Sequence, residues 1–274
     1  MLLCIDVGNT NMVLATFDEG KVVHSWRVKT DAHATADELG LMFRGLLASD
    51  GVEITGVAAC STVPALLRSL RSMLGRYYRG IPAVVVEPGT RTGVPLAIDN
   101  PKEVGADRVV NTLAAYTLYG GPAVVVDFGT STNFDVVSAR GEFLGGVIAP
   151  GIEISVEALA SRAAQLRKVE LVKPPRVVGK NTVECLQAGV VYGFAGQVDA
   201  IVQAIATELG GLTAVVATGG LAPVVLSECT TVTHHEPTLT LLGLQLIYAR
   251  NVREEPHRES SDVADRLDGA DRPG

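Results

Sequence analysis

Residues 121–143, GPAVVVDFGTSTNFDVVSARGEF, decide how this chain is read. An apolar run from Ala123 ends in Asp127, Gly129 follows, and Thr130, Ser131 and Thr132 lead into a second apolar run and a Gly141 turn. That is strand, Asp-x-Gly turn, strand, turn, strand. The same order opens the chain in LLCIDVGNTNMVLATFDEGKV, residues 2–22. Placing Asp6 on Asp127 sets Gly8 on Gly129, Thr10 on Ser131 and Gly20 on Gly141, all at one offset of 121 residues. One short Gly-containing turn recurs by chance, but a matched hairpin beyond it does not. The expectation is a duplicated α/β domain. An N-terminal domain would cover 1–118, a C-terminal domain 119–250, and a tail 251–274.

Working outward, strands are expected at 2–6, 12–17, 21–28, near 53–59 and at 83–87. Helices are expected after Thr35, which forms a capping box with Glu38, from Pro64, and over about 105–119. The second half offers helical patterns at about 152–166 and 182–208, a strand in TAVVATGG at 213–220, and a closing helix from about Leu239 to Arg250. The tail carries seven acidic and four basic side chains and no aromatic residue, a composition expected to stay disordered.

Composition bounds the function. The 274 residues hold 30 Asp and Glu against 23 Lys and Arg, a net charge of −7, which disfavours a nucleic-acid binder. Apolar residues make up 47% and charged ones 19%, enough for a packed core. No uninterrupted apolar run approaches the roughly 18–20 residues of a membrane span, and MLLCIDVGNTN has no basic leader, so a cytoplasmic chain is expected. Cys4, Cys60, Cys185 and Cys229 lie far apart, and the five histidines form no cluster, so neither disulfide nor zinc is expected.

The two Asp-Gly turns suit phosphate. Gly8 and Gly129 let an anion approach the main chain, amide N–H groups of such a turn form an anion-binding concavity, and Thr10, Thr130 and Thr132 add hydroxyl donors. Asp6 and Asp127 put negative charge where phosphate would sit, which calls for a cation, and magnesium held through oxygen and water is the expected one. Either turn alone reads more readily as an ordinary hairpin turn. The pair in register gives one loop for each side of a nucleotide polyphosphate. ATGGLAP at 217–223, with Gly219 and Gly220 after a buried strand, suits a flat ligand such as adenosine, or a plain loop.

Between the halves, DNPKEVGADRVVNTLAAYTLYG places Asp107 and Arg108 in the first turn of a helix. A dipole-favourable acid beside a solvated base is the plain reading. Phosphoryl transfer to an alcohol needs a carboxylate to take the acceptor's proton, and Asp107 is the candidate, with Glu103 in reserve. Arg108 would hold an anionic group of the acceptor.

These segments, with GGVIAPGI at 145–152, GKNTVECLQAGVVYGFAGQVD at 179–199 and EPTLTLLGL at 236–244, resemble the type III pantothenate kinases of the acetate and sugar kinase, heat-shock chaperone and actin superfamily. The resemblance implies two ribonuclease H-like, actin-like ATPase domains, each a mixed sheet flanked by helices, with the active site in the cleft between them. It implies ATP-dependent phosphorylation of pantothenate to 4'-phosphopantothenate, the first step toward coenzyme A. ATP would contact Asp6, Val7, Gly8, Asn9, Thr10, Asn11, Met12 and Val13, then Gly129 to Thr132, and Gly219 with Gly220. Pantothenate would contact Ile98, Gly105, Ala106, Asp107 and Arg108, plus Thr182 from the partner of a homodimer with shared active sites. Asp127 would carry a monovalent cation, K+ or NH4+, and Asp6 would lie nearest magnesium. Ile98 stands where many relatives have an aromatic residue, and Asn133 and Cys185 also depart from the common pattern. The alternatives are another sugar or acid kinase of this superfamily, an ATPase switch, or a catalytically silent regulatory relative.

Overall fold

The computed structural model describes residues 1–162 and 169–252. Two five-stranded sheets share one topology. In the first, β1 (Leu2–Val7), β2 (Asn11–Asp18) and β3 (Lys21–Lys29) form an antiparallel meander. Two strands parallel to β1, namely β4 (Gly56–Ser61) and β5 (Ala83–Val85), complete it in the order β3-β2-β1-β4-β5. The second sheet repeats this as β8-β7-β6-β9-β10, from β6 (Ala123–Phe128), β7 (Ser131–Val137), β8 (Phe143–Pro150), β9 (Ala214–Thr218) and β10 (His234–His235).

The repeat is real but not uniform. Asp6 faces Val13 across the first hairpin, whereas Asp127 faces Asn133 across the second. The offset is therefore 121 on the Asp strand and 120 on the next, because the second turn is one residue tighter. The Gly8 N–H donates to Asn11 O, and the Gly129 N–H to Ser131 O. Asn11, not Thr10, is thus the counterpart of Ser131. The expected strand near 53–59 is corrected to Gly56–Ser61, since Leu2 pairs with Gly56 and fixes the register.

Alternation of side chains along the strands decides what each face packs against. Leu3, Ile5 and Val7 face α1 (Ala36–Ser49) and α2 (Pro64–Tyr77), meeting Leu39, Phe43, Leu66 and Leu70. The first of these helices starts at the expected capping box. Cys4, Ala58 and Cys60 point the other way, onto α3 (Ala106–Tyr119) and α7 (Leu239–Asn251), through Val110, Leu113, Leu244 and Ile247. The outer face of the second sheet, Val124, Val126 and Phe128, packs on α5 (Thr182–Leu209) and the short α6 (Ala222–Val225). Ala123 and Val125 meet Ala114 and Ala115 of α3. Helices α3 and α7 therefore lie between the sheets, and α7, last in sequence, returns to the first sheet. The remaining helix, α4 (Ile152–Arg162), follows β8.

By length and composition the 28-residue α5 is apolar enough to span a bilayer. Its Val190, Val198 and Val202 are instead buried against the second sheet, and Asp199 accepts from the backbone N–H groups of Thr230 and Thr231. It is a packed helix of the second half, and no uninterrupted apolar run announced it. The expected tail falls, from residue 253 onward, outside the described residues, as do positions 163–166 of the helix expected at 152–166.

Candidate active site

Strands β1 and β6 deliver Asp6 and Asp127 near their C-terminal ends, to either side of one cavity of about 330 Å³. The turns that follow meet across it, with Thr10 Oγ1 3.1 Å from Thr130 Oγ1. The first turn is braced from the residue after β3: the Thr30 hydroxyl donates to Gly8 O at 2.7 Å and its N–H to Thr10 O at 3.0 Å. Gly8, Asn9, Thr10, Asn11, Val13, Gly129, Thr130 and Ser131 all line the cavity. Val7, Met12 and Thr132 do not; their side chains are buried, so only their backbone can serve a ligand there.

Gly219 and Gly220 line the same cavity from the loop after β9. Gly219 has φ +91°, and a Cβ there would lie 2.6 Å from both Asp127 Oδ1 and Phe128 O. Glycine is required by both conformation and room.

Asp107 reaches the cavity from the first turn of α3, whose N-cap is Gly105. Burial raises its pKa, partly offset by hydrogen bonds from backbone N–H groups and by Arg108. Asp6 is pushed up to about 7, by burial and then by the charge of Asp107, while a hydrogen bond from Cys60 and the charge of Arg27 pull it down. Asp127 is pushed up to about 8 by burial, then by Asp107, Asp6 and Asp135. Three carboxylates thus face one another with too little positive charge to hold all of them ionised. A bound cation would relieve this. Among the described residues no group of three or more His, Cys, Asp or Glu side chains is placed to cage a metal. The donor set fits a hydrated magnesium that shares its ligands with phosphate, not an all-protein cage.

Arg108 Nε donates to Asp135 Oδ1 at 2.5 Å, with its guanidinium over the Phe143 ring at 5.1 Å. Among the described residues its Nη2 is buried without a partner, near the glycine pair Gly145–Gly146 of β8, and Ile98 packs beside Gly145. Ile98, Gly105 and Arg108 thus lie around the Asp107 end of the cleft rather than among the turns. Glu103 is exposed and accepts from Asn100 Nδ2 at 2.6 Å. Thr182 is exposed at the start of α5, outside the cavity lining.

The sequence reading missed several neighbours. Cys60 Sγ donates to Asp6 Oδ1 at 3.4 Å, Thr240 Oγ1 donates to Asn111 Oδ1 at 2.8 Å, and the buried Asn111 side chain lowers the pKa of Asp127. Arg27 also lines the cavity. Only strand and helix pairing brings these residues here, so local pattern held no signal for them.

Two sheets of this topology with a cleft between them make the actin-like ATPase fold. The fold is shared, at a TM-score of 0.51 and 14% identity over 89% of this chain and 97% of the other, with a ROK family glucokinase from Streptomyces griseus in complex with glucose and AMPPNP. The particular family follows from sequence: the type III pantothenate kinase family profile matches residues 2–204, and the chain belongs to that family. A type III pantothenate kinase of Salinispora arenicola is 73% identical over 92% of this chain and 100% of its own length. One from Acidothermus cellulolyticus is 67% identical over 93% and 100%.

Proposed function

We propose that this chain transfers the γ-phosphoryl group of ATP to the primary hydroxyl of pantothenate, giving 4'-phosphopantothenate, the first step of coenzyme A synthesis. The observation that carries the reading is the meeting of the two Asp-Gly turns at Thr10 and Thr130 with Asp107 lining the same cavity. The turn amides and the Thr10, Thr130 and Ser131 hydroxyls bind phosphate oxygens, and Gly219 and Gly220 leave room for a flat base. Asp107 takes the proton of the attacking hydroxyl; its raised pKa makes it a stronger base than an ordinary carboxylate. Arg108, held in place by Asp135, offers its free Nη2 to the pantothenate carboxylate, and Ile98 gives the dimethyl group an apolar wall.

Asp6 would hold magnesium through water, and Asp127, beside Phe128 O and Gly219, a monovalent cation, K+ or NH4+. Such cations neutralise the charge of the phosphates and of the carboxylates around them. The chain divides near residue 119 into two ribonuclease H-like domains. It works in the cytoplasm as a homodimer. Support for the dimer is that Thr182 lies outside its own cavity, at the head of a helix whose Gly189, Gly193 and Gly196 are exposed with nothing within 4 Å. The Thr182 hydroxyl would complete the partner's acceptor pocket. The test of the function is product formation from pantothenate with ATP, magnesium and potassium. Phosphorylation of a hexose or acetate in its place would contradict it.

A further inference from the structure

The cavity is short of positive charge for a site that binds a triphosphate. Four carboxylates line it, those of Asp6, Asp107, Asp127 and Glu153, and among the described residues the one cationic side chain is Arg27. Arg27 sits on β3 opposite Val13, which lines the cavity beside it. Its guanidinium crosses from the first sheet to the loop after β9, where Nη1 lies 2.6 Å from the place a Cβ on Gly220 would take. Its charge is felt at Asp6. Arg108, the other arginine of the region, is committed to Asp135 at the acceptor end, whereas Arg27 stands at the nucleotide end.

We propose that Arg27 is a catalytic residue that grips the terminal phosphates of the nucleotide and stabilises the charge that develops on the transferring phosphoryl group. A guanidinium offers planar, paired N–H donors that match two phosphate oxygens, and it stays charged beside the carboxylates. In the step itself the bond from the γ-phosphorus to the ADP oxygen breaks and a bond to the pantothenate oxygen forms. The hydroxyl proton passes to Asp107, and Arg27 exchanges no proton. The absence of a side chain at Gly220 then has a second reason, since any Cβ would displace the guanidinium. The proposal rests on the reading of the cleft as a kinase site.

The test compares wild-type chain with Arg27→Gln and Arg27→Lys, whose solvent-exposed site leaves folding to be checked by thermal melting. Binding of MgATP, MgADP and adenosine is measured by calorimetry, and kcat and KM by pantothenate phosphorylation. Arg27→Gln should weaken MgATP roughly 10- to 100-fold, as for a lost hydrogen bond to a charged group. It should leave adenosine unchanged and lower kcat about 100-fold, as for loss of a donor aimed at developing charge. Arg27→Lys should recover part of both. Equal losses for adenosine and MgATP would overturn the proposal, because Arg27 would then only latch the glycine loop. Unchanged MgATP binding would overturn it too. The binding arm needs no acceptor, so wild type that binds MgATP yet ignores pantothenate would sink the substrate reading and leave the Arg27 result standing. Wild type that binds no nucleotide would overturn both.

Discussion

At the scale of single residues, the site is a crowd of carboxylates that needs a cation and a proton acceptor. Asp107→Asn keeps the shape and removes the proposed base. Turnover should fall about 10²- to 10⁴-fold with MgATP binding and melting temperature retained, and steady-state kinetics beside calorimetry would check it. Asp127 gives a stability prediction. Its pKa is about 8 in the folded chain, against an ordinary carboxylate near 4, so over that window the folded state holds a proton that the unfolded state releases. Stability must then fall as pH rises through that range. Thermal melts of ligand-free protein should lose temperature from pH 5 to pH 8, less so in Asp127→Asn, and MgATP with potassium should flatten the slope. A wild-type slope matched by the variant would remove Asp127 from the account. Asp6, Gly8, Asp127 and Gly129 were legible because an Asp-x-Gly turn ending an apolar run is a local signal. Cys60, Asn111 and Arg27 were not, since β4 must pair with β1, α3 with α7, and β3 with β2 before they approach the carboxylates.

At the scale of elements, α3 and α7 form the seam on which Asp107, the proposed base, is mounted. Gly243 of α7 lies against Val110 of α3, in space that leaves no place for a Cβ before the Val110 carbonyl. Gly243→Ala should cost about 1–3 kcal/mol through overpacking and also lower kcat, because moving α3 moves Asp107. Chemical denaturation and kinetics on the same preparation would check it, and a variant as stable and as fast as wild type would contradict it. The Thr35–Glu38 capping box made the start of α1 readable. The four-residue α6 and the two-residue β10 were not readable, being too short for any periodicity to register.

At the scale of the whole molecule, the duplication read from one offset is the architecture: two sheets of one topology with Asp6 and Asp127 where β1 and β6 end. The return of α7 to the first sheet was hidden, since no pattern within residues 239–251 says which half its apolar face will meet. The exposed glycine face of α5 bears on assembly. With the proposed dimer, sedimentation should give the mass of two protomers, and Gly193→Arg should split them and reduce turnover, as the proposed placement of Thr182 in the partner's pocket requires. A monomeric wild-type chain with full activity would contradict the shared site. The most direct measurement is phosphoryl transfer to pantothenate by purified protein supplied with ATP, magnesium and potassium, run beside Asp107→Asn. The account predicts 4'-phosphopantothenate from the wild-type chain and almost none from the variant. ATP hydrolysis without that product, or equal product from both proteins, would contradict it.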